Sequence, residues 1–451
     1  MNRRFAPADR LRGAVAPPAD KSISHRAALI GAMCDEPLTV RNFLDAADTR
    51  STLGAVLSLG AGVDEREGEL VIRGVGLHGA FEPTNGTLDV GNAGTLMRLL
   101  PGWLAGQASG RWTLDGDESI RRRPVGRIVE PLRRMGARVE AVEGRLPPLT
   151  VTGGAPLQGV EHRMATASAQ VKTCLVFAGL LAGGETRITE PVPSRDHTER
   201  MLARARAPVE REGLSVRVRP TDELELDEVV VPGEPSSAAF LVAAACVIPG
   251  SRITLSDVGL NWTRTGFLRI AERMGAVIVG ELEQPPPEAG RAGDGTAAAR
   301  EGPAPSADSE PAGDIDVSSA PLEATRVEPE EVPLSVDELT LVALLGCFAE
   351  GETVVRGAEE LRIKESDRIA GVVDGLRGLG ADIEASDDGF AVRGGEGLRG
   401  GSFDALGDHR LAMLGAVAGL ASREGVEVRG MEAADISYPG FEDDLRALAR
   451  R

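Results

Sequence analysis

Residues 21–43 read KSISHRAALIGAMCDEPLTVRNF. A polar start is followed by an apolar run of helix length and then by a short strand-like piece. The same plan returns at 91–116 (GNAGTLMRLLPGWLAGQASGRWTLDG), 166–190 (TASAQVKTCLVFAGLLAGGETRITE), 234–257 (EPSSAAFLVAAACVIPGSRITLSD), 336–358 (VDELTLVALLGCFAEGETVVRGA) and 407–431 (GDHRLAMLGAVAGLASREGVEVRGM). The polar starts lie near 22, 92, 168, 236, 337 and 408, so the gaps are 70, 76, 68, 101 and 71 residues. The long gap holds EQPPPEAGRAGDGTAAAREGPAPSADSEPAG, a Pro/Gly/Ala-rich stretch whose composition predicts a disordered insertion, assigned to residues 283–309. Without roughly 30 such residues that gap matches the others.

A second helix follows in each unit and ends in Leu-Gly-Ala or a close variant, as in TLGAVLSLGAGVDE, PLRRMGARVEAV, FLRIAERMGAVIVG and GVVDGLRGLGADIEA. The glycine suits a left-handed helix cap, and the residues after it alternate like a strand. In the third copy, MLARARAPVEREG, the Gly-Ala is gone. Six α/β units of about 70 residues are compatible with a solenoid or with two pseudo-threefold domains.

Composition narrows the function. The net charge of -19 argues against a nucleic-acid footprint, and aromatics at 3% leave few platforms for stacking bases. A local cluster of arginines can still bind a small polyanion. The four cysteines, Cys34, Cys174, Cys246 and Cys347, are scattered in apolar runs without metal-ligand spacing, and read as free buried thiols in a reducing cytosol. No apolar leader opens the chain and no stretch reads as a membrane span, so a cytoplasmic location is expected. Of 50 basic residues only Lys21, Lys172 and Lys364 are lysines.

The first helix of each unit carries its unusual chemistry at the N-terminus. Lys21, Ser22 and Arg26 open the first, and Asn92, Gly94, Thr95 and Arg98 the second. Ser168, Gln170 and Lys172 open the third, Ser236 and Ser237 the fourth, Asp337 and Glu338 the fifth, His409 and Arg410 the sixth. Ser, Asn and Asp at these places serve as plain caps. Lys, Arg and His in the first turn oppose the helix dipole, and a shared anionic ligand explains them better.

The segments PPADKSISHRAALIGA, GNAGTLMRLL, RRRPVGRI, SAQVKTCL, RDHTERML, VPGEPSSAAFLVAAA, VDELTLVALLGCFAEG, LRIKESDRI and GDHRLAM resemble those of the 5-enolpyruvylshikimate-3-phosphate synthases, and SAQVK and RDHTE look like the bacterial class II forms. The resemblance runs from about residue 11 to 449, apart from the insertion. It implies an α/β (α+β) fold of two pseudo-threefold domains, each of three βαβαββ units, an inside-out α/β barrel. Residues 20–234 would form the shikimate-3-phosphate-side domain. Residues 1–19 and 235–451 would form a second domain carrying Asp337, Glu365 and Arg410, with the insertion inside it. The implied reaction transfers the enolpyruvyl group of phosphoenolpyruvate to the 5-hydroxyl of shikimate 3-phosphate and releases phosphate. The implied protein is a monomer that needs no metal or organic cofactor.

The same resemblance assigns roles. Lys21 would contact both substrates; Ser22, Arg26, Ser168, Ala169, Gln170 and Arg195 would bind shikimate 3-phosphate. Arg123, Gln170, Asn92 and the backbone at Gly94 would take the phosphate of phosphoenolpyruvate, and Arg368 and Arg410 its carboxylate. Asp337 would be the base and Glu365 the proton donor; Lys21, and Lys364 beside Asp337 and the 5-hydroxyl, would be catalytic too, because a lysine can exchange a proton and an arginine cannot. Lys172 is expected to be a replaceable helix-start charge. In KESDRI, local pattern alone predicts a cap at Ser366 or Glu365 and an apolar stripe of Ile369, Val372, Val373, Leu376 and Leu379. Ala169, Glu234 and Ile436 depart from the commonest family residues, Ile436 standing where some members have a lysine. Gly94 leaves room beside the phosphoenolpyruvate site and implies sensitivity to glyphosate. Two rival readings are a UDP-N-acetylglucosamine enolpyruvyl transferase, whose reactive cysteine is missing from DGDESIRRRPVGR, and a non-catalytic binding module, against which Asp337 and Glu365 speak.

Overall fold

The polar start at Lys21 opens a helix, Lys21–Met33, in the computed structural model, which describes residues 1–66, 68–286 and 310–449. Asp20 caps it by accepting the backbone N–H of Ile23, and every residue from Ile23 to Met33 is buried. Its five counterparts are Gly94–Ala105, Ala169–Leu180, Pro235–Val247, Leu339–Phe348 and His409–Ala421. These helices are apolar nearly all round, so they are stable only when enclosed by other elements. Gly102 shows how tight that enclosure is. A Cβ there would lie 2.0 Å from the backbone oxygen of Cys174 on the 169–180 helix.

The chain separates into two units with separate apolar cores. One comprises Met1–Pro18, Pro232–Gln284 and Pro311–Arg451; the other comprises Ala19–Val231 and, among the described residues, Pro285, Pro286 and Glu310. Each holds three of the buried helices. The sequence puts the crossings at residues 20 and 235; the contacts put them at Pro18/Ala19 and Val231/Pro232. The expected insertion lies outside the described residues from 287 to 309. Glu310, which follows it, does not join the unit to which the insertion was assigned. Its carboxylate meets His197 Nδ1 at 2.6 Å, which ties it to the 19–231 unit.

Each βαβαββ unit builds a small sheet on one plan. In the second, Thr87–Asp89 runs parallel to Arg111–Asp115 across the buried helix. Leu146–Thr152 then pairs antiparallel with Arg111–Asp115 and with Arg138–Val142. Two sheets borrow their first strand from a distant segment: Glu228–Val230 lies parallel to Leu38–Arg41, and Arg12–Val15 parallel to Arg252–Gly259. The sixth sheet is closed by Asn2–Phe5, antiparallel to Val426–Arg429.

The second helices end as their glycines demand. Ala47–Ser58, Gly126–Arg134, Gly266–Arg273 and Arg368–Gly378 are followed by Gly60, Gly136, Gly275 and Gly380, whose φ values are 100, 97, 98 and 102°. The third copy keeps the turn although it lacks the glycine. Arg206 takes the corresponding place after His197–Arg204 with φ 59°. All four cysteines are buried and free, and burial pushes the thiols of Cys34, Cys246 and Cys347 up to about 12. Among the described residues no helix is long and apolar enough to cross a membrane.

Candidate active site

In the 19–231 unit the basic side chains at the helix starts are each held by specific polar partners. Lys21 Nζ donates to Asp48 Oδ2 at 3.0 Å. Asp48 lies in the first turn of Ala47–Ser58. Burial raises its carboxyl, but Lys21, His25 and Arg123 outweigh that and hold it below its ordinary value. His25 is buried, with Nδ1 2.7 Å from Thr52 Oγ1, and burial pulls the imidazole down to about 3, so it is neutral at pH 7.

Arg26 is 2% exposed. Its Nε donates to Thr198 Oγ1 at 2.7 Å, Nη2 to Thr173 Oγ1 at 3.1 Å and Nη1 to the Ser22 carbonyl at 3.0 Å. Burial lowers its pKa to about 10 against the opposing pull of Glu199, which leaves it cationic. Among the described residues three of its five N–H groups are engaged. Ser22 Oγ receives a hydrogen bond from Arg195 Nη1 at 3.3 Å. Ser168 caps Ala169–Leu180 by accepting the Val171 N–H, so its own O–H remains able to donate to an anion. Ala169 follows it as the first residue of that helix and offers only backbone.

Next to these, Gln170 Nε2 donates to Thr95 Oγ1 at 3.2 Å. Arg123 Nη2 donates to Asn92 Oδ1 at 3.0 Å and to Ser119 Oγ at 3.2 Å. Gly94 opens its helix beneath two guanidinium groups. A Cβ there would lie 2.8 Å from Arg98 Nη1 and 3.3 Å from Arg123 Nη1.

In the other unit Arg368 is the organising charge. It is 1% exposed and meets three carboxylates. Nε donates to Asp408 Oδ2 at 2.8 Å, Nη2 to Glu365 Oε2 at 2.6 Å, and Nη1 lies 3.4 Å from Asp337 Oδ1. Burial lowers the guanidinium pKa, but Glu365, Asp408 and Asp337 more than reverse this and raise it. Burial likewise raises Asp408, which Arg368 pulls below its ordinary value. Arg410 is held more loosely: its nitrogens lie 3.5 Å from Asp337 Oδ2, 3.5 Å from Glu338 Oε1 and 3.2 Å from the Asp337 carbonyl. Glu338 is buried, accepts from Ser236 Oγ and is raised, chiefly by burial.

Lys364 Nζ donates to Glu360 Oε1 at 2.5 Å, four residues before it in the turn Glu359–Ile363. Two expectations change. The helix in KESDRI starts one or two residues later than read: Asp367 is its cap, accepting the Ala370 N–H, and Ser366 donates instead to Asp408. Lys172 is no exposed helix-start charge. It is 1% exposed and ion-paired with Glu190 and Glu199 at 2.7 and 2.8 Å.

The sequence reading also missed Asp48, Thr173, Thr198 and Asp408. Asp408 had a visible signal, an acid immediately before a helix start that carries His409 and Arg410. Thr198 lies inside RDHTERML but is indistinguishable there from a helix-start threonine.

Comparison with known proteins agrees along the whole chain. The family model of EPSP synthase (3-phosphoshikimate 1-carboxyvinyltransferase) matches residues 5–445. Similar proteins named 3-phosphoshikimate 1-carboxyvinyltransferase include one from Thermus thermophilus, 44% identical over 99% of this chain and 98% of its own. Another, from Methylococcus capsulatus, is 42% identical over 98% and 96%. The solved EPSP synthase of Acinetobacter baumannii superposes with a TM-score of 0.85 at 36% identity, covering 99% of this chain and 98% of that one. The chain belongs to the EPSP synthase family, the 3-phosphoshikimate 1-carboxyvinyltransferases.

Proposed function

We propose that Asp337 and Glu365 carry the protons of the reaction, and that the observation supporting this is their shared partner, the buried guanidinium of Arg368. As a member of its family the chain transfers the enolpyruvyl group of phosphoenolpyruvate to the 5-hydroxyl of shikimate 3-phosphate, on the route to chorismate and the aromatic amino acids. The hydroxyl oxygen bonds to C2 of phosphoenolpyruvate while Asp337 takes its proton. Glu365 gives a proton to C3, forming a methyl group and a tetrahedral ketal phosphate. Glu365 then takes one methyl proton back as phosphate leaves with the proton held by Asp337, which restores the double bond and both carboxyl groups. Arg368 meets three carboxylates, so a proton held by one of them reduces the excess negative charge around one buried cation.

Lys21, Ser22, Arg26, Ser168, Ala169, Gln170, Arg195, Asp337 and Lys364 hold shikimate 3-phosphate in this reading. Lys21, Asn92, Gly94, Arg123, Gln170, Arg368 and Arg410 hold phosphoenolpyruvate. Arg410 is the readier ligand for the carboxylate. Its contacts of 3.5 Å to Asp337 and Glu338 are long, and a substrate carboxylate at ordinary distance improves on them. Arg368 must instead give up its 3.4 Å contact with Asp337, which frees that base as the substrate binds. We assign residues 20–234 to one domain and residues 1–19 and 235–451 to the other. We also assign the chain to the cytoplasm, acting as a monomer.

Phosphate release measured with shikimate 3-phosphate or UDP-N-acetylglucosamine as acceptor tests the activity, and turnover with shikimate 3-phosphate alone is expected. Asp337→Asn and Glu365→Gln should each lose about two to four orders of magnitude in kcat. A folded variant within a few-fold of wild type removes that residue from the mechanism.

A further inference from the structure

We infer that Lys172 is a positioning residue for shikimate 3-phosphate, which rests on the assignment of Ser168, Arg26 and Arg195 to that substrate. Its ammonium joins three segments. The first is its own helix, Ala169–Leu180, where its backbone N–H donates to the carbonyl of the cap Ser168. The second is the loop after strand Thr186–Thr189. Nζ meets Glu190 Oε2 at 2.7 Å, and Glu190 Oε1 accepts from the buried Ser194, the residue before Arg195. The third is the helix His197–Arg204, where Nζ meets Glu199 Oε1 at 2.8 Å.

The neighbour of Lys172 extends the link. Thr173 bonds to Thr198 at 2.6 Å, and both hydroxyls receive the guanidinium of Arg26. Lys172 and Thr173 thus dock one helix against Glu199 and Thr198; the two threonines hold Arg26, and Glu190 anchors Ser194, the residue before Arg195.

A fully buried ion cluster is poor evidence of stabilisation, because apolar replacement of such clusters is often neutral. One ammonium here faces two glutamate carboxylates, and Arg26, drawn by Glu199, is a second buried cation beside them. That arrangement is expensive for packing alone and sensible for holding cationic ligands of an anion. It also accounts for a lysine among so many arginines. Two carboxylates converge on a single small head group in a space with 1% exposure, which a planar guanidinium does not fill without moving them.

The test is steady-state kinetics on Lys172→Arg, with KM measured separately for the two substrates, plus a thermal melt. The KM for shikimate 3-phosphate should rise about tenfold or more while that for phosphoenolpyruvate stays near wild type. Ser194→Ala, which keeps both salt bridges of Lys172 and removes only the hydroxyl that links Glu190 to the loop, should raise the same KM, with a melt lowered only by the loss of one buried hydrogen bond. It serves as the readout if the lysine variant does not fold. Lowered melting temperature with both KM values unchanged means a purely structural role and overturns the inference. Arg195→Ala is measured alongside. If it raises the KM for shikimate 3-phosphate and neither other variant does, positioning by Lys172 is wrong and the site assignment stands. If Arg195→Ala has no effect on that KM, the site assignment falls and this inference with it.

Discussion

His25 has a chemical consequence at the scale of one residue. Its imidazole ordinarily titrates near 6.5, and in the folded chain it stays neutral down to about 3 because burial outweighs the favourable field of Asp48. Lys21 and Arg26 push in the same direction as burial. Between those two values the unfolded chain binds one proton that the folded chain does not. Stability therefore falls as the pH is lowered through that window, while above 6.5 the group contributes no slope. His25→Asn should flatten stability against pH there by up to about 1.4 kcal/mol per pH unit, read from denaturant titrations at several pH values. Equal slopes for variant and wild type would show that the imidazole titrates normally. Residue identities were legible in the sequence, but their environments were not. The charge of Lys172 can be read directly, yet nothing local says that Glu190 and Glu199, 18 and 27 residues later, close over it. Lys364 is the converse case: its partner Glu360 stands four residues before it and is visible in the sequence.

At the scale of the element, glycines separate into places that need them and places that do not. Gly102 lies where two buried helices meet, and a methyl group would strike the Cys174 backbone, which cannot move without its helix. Gly54 lies exposed in Ala47–Ser58 with nothing within 4 Å of an added Cβ. Gly102→Ala should destabilise by about 1–3 kcal/mol or more, whereas Gly54→Ala should stabilise by about 0.4–1 kcal/mol. Chemical denaturation of both variants decides it, and similar values would mean that the helices tolerate a wider spacing. Gly94→Ala acts on function instead, because its methyl presses on Arg98 and Arg123. The KM for phosphoenolpyruvate should rise and inhibition by glyphosate should weaken; unchanged values for both would show that the guanidinium groups yield freely. Elements were the most readable level. Polar starts, apolar runs and capping glycines are local, so all six buried helices could be read from the chain. The third copy was harder because Arg206 performs a glycine's turn, and only its φ of 59° reveals it.

At the scale of the whole molecule, the six-fold recurrence gave the number of units, and the family resemblance gave their grouping into threes. The pairing of borrowed strands was not legible, because a short strand such as Arg12–Val15 carries no mark of a partner more than 200 residues away. Residues 287–309 have a composition poor in core-forming side chains, and loop length changes stability only slowly. Replacing them with a short Gly-Ser linker, while keeping Glu310 for His197, should leave turnover and melting temperature near wild type. A large loss of turnover in a folded variant would show that the segment serves the reaction. The strand Asn2–Phe5 has a different kind of consequence. Its partner, Val426–Arg429, follows it by more than 420 residues, so it leaves the ribosome long after the strand does. Residues 19–231 can complete their three sheets in that interval, whereas Asn2–Phe5 waits without its partner. Folding thus does not follow the order of the sequence: the middle can be finished before the strand that precedes it finds its place.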